Sequence, residues 1–447
     1  MSAPHLNPAA TVETATSMVT TTITLLNAYA VIFFVAFIMT LLSTPLVRRF
    51  AIAHDIVDHP DGERKAHRFP VAYLGGVAVF FGLMMAIATS YFDIRGASSH
   101  FSTVPLSIVV GMCAIMFTGL ADDVWGWDPR LKIAGQLTAA AALAIEDIGV
   151  RVAEGLLIPL ADWVDPWAGS TNLVFEIPLF GQGVLTLDVI YWAGTAIIAI
   201  FVLGGCNAAN LLDGLDGLLS GVISITAIGL LAISILMVLH PSPDAAGSDL
   251  DLGGARIVLC VALLGACLGF LAHNFNPASI FLGDCGSLLL GYLCVVIILM
   301  LGEHGQTHLV LAGLIVFAVP IMDTTLAIVR RILSGRSLSS ADDQHIHHQL
   351  NRALGGVKKA VVALYCLAAL FAALGVALAA LVTLTEIRVR VLYVITLTVF
   401  SFIGAIAVKA ARRGQHAAAA AARSTAPPTP DPDRPAVAAD PPASPRP

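Results

Sequence analysis

Eleven apolar stretches, each close to the length needed to cross a lipid bilayer, divide this sequence. A bilayer core requires about 20 apolar residues per helix, because all backbone hydrogen bonds must be made within the segment. Only 12% of the 447 residues are charged, whereas soluble domains carry about a quarter. The sequence therefore predicts an all-α polytopic integral membrane protein. The predicted spans are 25–47, 72–92, 104–121, 131–150, 188–206, 218–239, 256–274, 287–302, 309–329, 359–384 and 391–409.

The basic residues predict how these spans are oriented. One set of loops, together with Lys409, Arg412 and Arg413 at the end of the last span, holds sixteen Lys and Arg residues, and the opposite set holds five. Loops rich in Lys and Arg stay in the cytoplasm. We therefore expect the N-terminus outside and the C-terminus inside, as an odd number of spans requires.

The chain divides by composition into three parts. We expect a polar N-terminal segment at 1–24, a membrane domain at 25–410, and a tail at 411–447. The tail is rich in Ala and Pro and lacks apolar periodicity, which predicts a disordered cytoplasmic segment. In the longest loop on the outer side, 174–178 and 183–187 alternate in a way that predicts a small hairpin.

Four short polar stretches interrupt the apolar sequence: 122–123, 207–217, 281–287 and 345–348. Ionisable groups beside hydrocarbon are costly, so we expect a chain that keeps several of them to use them. The predicted orientation places all four stretches on the cytoplasmic side. We therefore expect them to form one site at the membrane surface.

The acids in these stretches favour a hard cation. Asp122 and Asp123 are adjacent and repel unless a cation or a proton lies between them. Asp213 and Asp216 share one face if they are helical, and Asp284 lies among glycines just before a span. Each has a plainer explanation: a solvated helix end, a glycine-rich turn and an acidic helix cap.

The histidines have two candidate roles. His345, His347 and His348 could bind a metal, but a soft-metal site usually adds thiolates or further imidazoles. The carboxylates elsewhere favour Mg²⁺, so the histidines are better suited to donate to phosphate oxygens. Phe281 could stack on a base or anchor its loop. Together these features favour Mg²⁺-assisted phosphoryl transfer to a lipid that carries a phosphate head group.

The motifs resemble those of the polyprenyl-phosphate N-acetylhexosamine-1-phosphate transferases. Members of that family transfer a sugar 1-phosphate from a UDP-sugar to a polyprenyl phosphate and release UMP. The matching segments, in family order, are Arg64-Lys-Ala-His67, Leu74-Gly-Gly76, Gly119-Leu-Ala-Asp-Asp123 with Pro129 and Lys132, Asn207 to Gly217, Phe281 to Ser287, and Pro320-Ile-Met-Asp323 through Arg330-Arg331 to His345-Ile-His-His348.

The resemblance implies roles for individual residues. Asp122 and Asp123 would activate the lipid phosphate or help to hold Mg²⁺, and Asp284 would be the main Mg²⁺ ligand and the third catalytic acid. Asp123 and Asp213 would complete the metal site, in which Mn²⁺ could replace Mg²⁺. The implied substrate-binding residues are Asn210, Asp213, Asp216 and Phe281 for the nucleotide, Arg331, His345, His347 and His348 for the diphosphate and sugar, and Lys65 and His67 for the lipid phosphate.

Two short sequences favour one branch of the family. The phospho-N-acetylmuramoyl-pentapeptide transferases usually carry three consecutive histidines and a Pro-Thr-Met-Gly-Gly run, whereas this chain has His345-Ile-His-His348 and Ala72-Tyr-Leu-Gly-Gly76. We therefore expect the branch that uses UDP-N-acetylglucosamine, located in the bacterial inner membrane. The alternatives are the muramoyl-pentapeptide branch, a polytopic transporter and a catalytically silent scaffold. The expected partners are a UDP-N-acetylhexosamine and a polyprenyl phosphate lipid, with no nucleic acid and with a homodimer as one candidate assembly.

Overall fold

The protein is almost entirely helical in a computed structural model that describes residues 8–58, 70–92, 103–157, 174–178, 184–241, 252–333, 335, 345–385 and 389–425. The first helices are α1 (Pro8–Ala53), α2 (Gly75–Ser90), α3 (Leu106–Trp125), α4 (Pro129–Ile145), α5 (Val150–Leu157), α6 (Val189–Leu212) and α7 (Leu218–Leu239). The remaining helices are α8 (Gly253–Asn274), α9 (Gly283–Met300), α10 (Thr307–Val316), α11 (Ala318–Leu333), α12 (Ile346–Leu354), α13 (Val357–Leu384) and α14 (Val389–Thr425).

Many of these helices are suited to a bilayer. Within the described residues, eight are long and apolar enough to cross a membrane, and the number rises to ten if each of two bent pairs forms one span. The shorter apolar helix α2 corresponds to the predicted span 72–92. The chain is an all-α polytopic membrane protein, as its composition predicts.

Two predicted spans are bent. The span predicted at 309–329 consists of α10 and α11, which meet at 78°. The span predicted at 131–150 contains, near its end, the 85° bend between α4 and α5. Pro320 lies in the first turn of α11, where the missing proline N–H costs no helical hydrogen bond. Hydropathy alone could not reveal these bends, because it measures apolar length and not direction.

The ends of the predicted domains also differ from expectation. Helix α14 continues to Thr425, so residues 411–425, which we expected to be disordered, are helical. Their run of alanines has the highest intrinsic helix propensity and explains the difference. Two short strand pairs are present within the residues that the structure describes: β1 (Val57–Asp58) pairs antiparallel with β2 (Val71–Ala72), and β3 (Val174–Pro178) pairs antiparallel with β4 (Val184–Asp188). The second pair confirms the predicted hairpin.

Helix α9 lies at the centre of the bundle. It packs against α2, α3 and α6, and of its eighteen residues only Asp284 is not buried. A helix that is apolar on every side must be surrounded by protein or lipid, and here protein surrounds it. Asp284, in the first turn of α9, is therefore the one residue of this core helix that is open to solvent.

Glycines allow the helices around α9 to approach closely. A methyl group at Gly119 would lie 2.4 Å from the Cα atom of Cys285, and one at Gly76 would lie 2.1 Å from the backbone nitrogen of Gly286. Membrane helices often use small residues at such interfaces, since backbone contact supplies the packing that association in lipid requires. These contacts bring α2 and α3 against the start of α9.

Replacing Gly119 with Ala should therefore destabilise the protein. The added methyl group must push α3 away from α9, and overpacking of this kind costs about 1–3 kcal/mol. We expect a lower midpoint of thermal unfolding in detergent. Gly204→Ala is the matched control, since nothing lies within 4 Å of a methyl group there; equal midpoints for the two variants would contradict the close contact.

Candidate active site

The carboxylate of Asp123 caps helix α9. Its Oδ1 accepts the N–H of Asp284 at 2.8 Å, and its Oδ2 accepts the N–H of Cys285 at 3.0 Å. Gly283 makes this possible with a left-handed φ of 74°, and a methyl group there would lie 2.7 Å from Asp123 Oδ2. Asp123 thus binds the free amide groups at the start of a helix, where negative charge is favourable.

The ammonium group of Lys132 lies between two other acids. Its Nζ atom is 2.7 Å from Oδ2 of Asp122 and also contacts Oδ2 of Asp284. All three side chains are only about one-fifth to one-quarter exposed, with 23% for Lys132, 19% for Asp122 and 25% for Asp284. Two carboxylates in such a setting would repel strongly, so the lysine stabilises their approach.

Helix α6 supplies an amide on the other side of Asp284. The Nδ2 group of Asn210 donates to Oδ1 of Asp284 at 2.8 Å and to the hydroxyl of Ser287 at 2.9 Å. Each oxygen of Asp284 therefore has a partner from a different helix, α4 for one and α6 for the other. This arrangement fixes the orientation of the carboxylate.

The turn between α6 and α7 carries the next two acids. Asp213 ends α6, and its partly enclosed position, together with the charges of Asp284, Asp123 and Asp216, raises the pKa of Asp213 to about 8. Asp216 has a different environment, since its Oδ2 accepts from Nδ2 of Asn276 at 2.8 Å and from the N–H of Ala278 at 3.0 Å. Asp213 therefore faces a concentration of negative charge, whereas Asp216 holds the loop after α8.

The segment before α2 pairs with the segment before α9. The N–H of Phe281 donates to the carbonyl of Ala72, and the N–H groups of Gly75 and Gly76 donate back to the carbonyls of Phe281 and Leu282. The ring of Phe281 lies edge-on to that of Tyr73, with centroids 6.0 Å apart. Burial and the charges of Asp58, Asp123 and Asp284, with a hydrogen bond to Asp58, raise the pKa of Tyr73, which borders the acid cluster.

The histidines approach the same site from α12. Oδ2 of Asp323 lies 3.0 Å from Nδ1 of His345 and 3.7 Å from Nδ1 of His347. The rings of His345 and His347 are stacked at 5.4 Å, and that of His348 follows at 4.3 Å. A methyl group at Gly214 would lie 2.1 Å from Nε2 of His347, so the histidines contact the turn that follows Asp213.

The structure thus brings the four polar stretches together, as the sequence predicts. Arg331 lies in the last turn of α11, and its Nε atom is buried with no hydrogen-bond partner in the described part of the chain. Lys65 and His67, predicted to bind the lipid phosphate, lie outside the described residues.

Three residues at the site were absent from the predicted set. Lys132 and Asp323 belong to the motifs that carry the resemblance, but nothing in a linear sequence shows that they would contact Asp284 or His345. Tyr73 gave one available signal, since it belongs to Ala72-Tyr-Leu-Gly-Gly76, the segment that distinguishes this chain from sequences with a Pro-Thr-Met-Gly-Gly run. A contact between residues far apart in the chain is a tertiary property.

Two of the acids at this site are suited to bind a hard divalent cation. Among the described residues no group of three or more His, Cys, Asp or Glu side chains is placed to hold a metal ion. Asp123, one of the predicted ligands, has both oxygens bonded to backbone N–H groups. Mg²⁺ is usually bound by one or two carboxylates together with water and substrate phosphates. Asp284 and Asp213 can supply those carboxylates, and burial together with the charges of Asp284, Asp123 and Asp216 raises the pKa of Asp213 to about 8.

Comparison with known proteins identifies the family. The family model for "Glycosyl transferase family 4" matches residues 105–302. A decaprenyl-phosphate N-acetylglucosaminephosphotransferase of Mycolicibacterium smegmatis is 34% identical over 360 residues, covering 76% of this chain and 79% of that relative. The chain belongs to glycosyl transferase family 4.

Other relatives of this transferase indicate its branch. A probable undecaprenyl-phosphate N-acetylglucosaminyl 1-phosphate transferase of Bacillus subtilis is 32% identical over 326 residues, covering 72% of this chain and 76% of the relative. A phospho-N-acetylmuramoyl-pentapeptide-transferase of Bacillus cytotoxicus is 28% identical over 338 residues, covering 73% of this chain and 89% of the relative. The predicted family is confirmed, and the greater similarity is to the N-acetylglucosamine-1-phosphate branch. The family match also includes the acids from Asp122 to Asp284.

Lys132→Met should inactivate the transferase. Without the ammonium group, Asp122 and Asp284 face each other uncompensated, so we expect one of them to take up a proton or turn away. The rate of product formation should fall by at least about 100-fold, as for the loss of a well-oriented active-site group. Arg130→Met, which removes an exposed cation two residues earlier, is the matched control; similar rates for both variants would exclude a local role for Lys132.

Asp213→Asn should stabilise the protein while it impairs activity. Since the pKa of Asp213 is raised to about 8, the folded state holds a proton that the unfolded chain releases near pH 4. Stability is therefore lost as the pH rises from about 4 to about 8, and the variant avoids this loss. We expect its midpoint of thermal unfolding in a chelator to exceed that of the wild type at pH 8 by the equivalent of roughly 1 kcal/mol or more, and less at pH 5.

The matched control for this change is Asp216→Asn. Both hydrogen bonds that Asp216 accepts end on its Oδ2, and a neutral amide oxygen accepts them less strongly than a carboxylate, so the variant should not be more stable than the wild type. A lower unfolding midpoint for Asp213→Asn at pH 8 as well would show that the charge of Asp213 does not destabilise the folded protein.

Proposed function

We propose that this transferase moves N-acetylglucosamine 1-phosphate from UDP-N-acetylglucosamine to a polyprenyl phosphate, releasing UMP and starting the synthesis of a lipid-linked cell-envelope glycan. The observation that carries the proposal is the meeting of Asp122, Lys132, Asn210 and Asp284 with the histidines of α12 at one end of a membrane bundle. A phosphate head group and a nucleotide diphosphate could both reach this end.

The membrane arrangement that suits this function is the one that the basic residues indicate. We propose eleven spans, with the N-terminus outside and the site at the cytoplasmic surface of the bacterial inner membrane. Counting α2 and each bent pair as one span apiece gives this number. In that arrangement UDP-sugars of the cytoplasm and the head groups of the inner leaflet meet the same acids.

The two adjacent acids differ in the roles that they can fill. Asp123 has both oxygens engaged by the start of α9, so we assign it to positioning Asp284. Asp122 contacts Lys132 through Oδ2. We assign Asp122 to orient the lipid phosphate and to accept its proton when it arrives as the monoanion.

The reaction forms one P–O bond and breaks another. An oxygen of the lipid phosphate attacks the β-phosphorus of the UDP-sugar, and the bond from that phosphorus to the bridging oxygen breaks, so UMP leaves with the bridging oxygen. His345, His347, His348 and Arg331 would donate to the diphosphate, where charge develops. Phe281, next to Tyr73, would lie against the uracil, with Asn210, Asp213 and Asp216 around the nucleotide.

Asp284 and Asp213 are the residues that we propose to hold Mg²⁺, and a bound divalent cation would neutralise charge on the diphosphate and on the departing UMP. The carboxylate of Asp284 is held in place before substrate arrives by Lys132 and Asn210, and the backbone of Asp213 is held at the end of α6 by the bond from its N–H to the carbonyl of Asn210. Mn²⁺, which also prefers oxygen ligands, should substitute.

A direct assay tests the proposal. Purified protein in detergent should release UMP from UDP-N-acetylglucosamine only when both Mg²⁺ and undecaprenyl phosphate are present, and mass spectrometry should find the lipid-linked sugar diphosphate. Asp284→Asn should abolish the release, because its amide cannot replace the carboxylate. Folded wild-type protein that releases no UMP would overturn the proposal.

The same assay separates the rival functions. Release from UDP-N-acetylmuramoyl-pentapeptide in place of UDP-N-acetylglucosamine would assign the chain to the other branch. A transporter would instead accumulate substrate in vesicles without forming UMP.

A further inference from the structure

A buried acid in helix α11 stands outside the roles assigned so far. Asp323 is 0% exposed, although it lies in a helix of a membrane protein, where a carboxylate without partners is very costly. It is 22 residues before His345 in the chain, and its contacts are with the start of α12. We therefore ask which groups the carboxylate of Asp323 holds in place.

Its two oxygens bind two different groups of the histidine segment. Oδ1 accepts the backbone N–H of Ile346 at 2.8 Å, which caps α12, and Oδ2 lies 3.0 Å from Nδ1 of His345. Nδ1 of His347 is 3.7 Å from the same Oδ2, within ion-pair distance. One carboxylate therefore faces the Nδ1 atoms of two stacked imidazole rings.

This contact determines how the rings present their other nitrogen. A carboxylate only accepts hydrogen bonds, so Nδ1 of His345 carries a proton and Nε2 points away from Asp323. In His347, Nε2 lies against Gly214, beside the turn that carries Asp213.

We propose that Asp323 is a positioning residue of the transferase. It fixes the tautomer and orientation of His345 so that the Nε2 atom of this ring faces the diphosphate of the substrate. Through His347, which lies between Asp323 and Gly214, it joins α12 to the acid turn after α6. The inference rests on the proposed function for its substrate, but the ring orientation that it states is independent of activity.

The substitution Asp323→Asn distinguishes a role in positioning His345 from a role in capping α12 alone. Asn is about as good an N-cap as Asp, so Asp323→Asn can keep the bond to Ile346 N–H. With its oxygen used there, the amide presents N–H groups to His345, which then accepts at Nδ1 and moves its proton to Nε2. The variant therefore changes the tautomer of His345 at nearly constant side-chain volume.

The test combines activity with a double-mutant cycle. We expect Asp323→Asn to lower kcat/KM on the order of 10- to 100-fold, as for misplaced catalytic groups, with Asp323→Glu recovering part of the loss and the unfolding midpoint unchanged. In a His345→Gln background, Asp323→Asn should lower kcat/KM by less than about threefold, since the effects of substituting two residues that act through one another are not additive. Losses that multiply in the double variant, or wild-type activity in Asp323→Asn, would overturn the proposal.

Two further measurements complete the test. Asp188→Asn is the control for a purely capping acid, because its Oδ1 accepts the N–H of Tyr191 at 3.0 Å at the other end of α6; it should leave kcat/KM unchanged. Spectra of ¹⁵N-histidine-labelled protein, assigned by His345→Gln, should show His345 protonated at Nδ1 in the wild type and not in Asp323→Asn. An unchanged ring signal would overturn the proposal, and wild-type protein without UMP release would overturn only the proposed function.

Discussion

The two hydrogen bonds from the start of α9 to the carboxylate of Asp123 are the contact on which the rest of the site depends. They fix the end of α3 against a helix that is buried along its whole length except at Asp284. Since α9 packs against α2, α3 and α6, this cap sets the position of Asp284. Lys132 and Asn210 then bind Asp284 from opposite sides.

Charge balance explains why the acids of the site are not equivalent. Asp123 is compensated by helix amides, Asp122 and Asp284 share the ammonium group of Lys132, and Asp216 accepts from Asn276 and Ala278. Asp213 is left facing its neighbours, and its burial, together with their repulsion, raises its pKa to about 8. An acid whose charge is not compensated lowers the stability of the folded protein, and such a cost is common where residues bind a phosphate or a cation.

Much of this molecule could be predicted from its sequence. Hydropathy predicted the helices, and the alternation at 174–178 and 183–187 predicted the hairpin that is present. It did not predict the bend between α10 and α11, nor the helix that continues through the alanines to Thr425. A hydropathy pattern reports how long a segment can stay in lipid, whereas direction and helix ends depend on local backbone and neighbouring contacts.

By itself, the sequence determined the class of protein, the four polar stretches and the chemistry that their acids and histidines can perform. These properties depend on residue type and spacing, which the linear chain contains. Only the tertiary structure decided that Asp123 caps α9 while Asp122 meets Lys132, and that Asp323 holds His345. Each of these contacts joins different helices, so it exists only after packing has fixed where those helices meet.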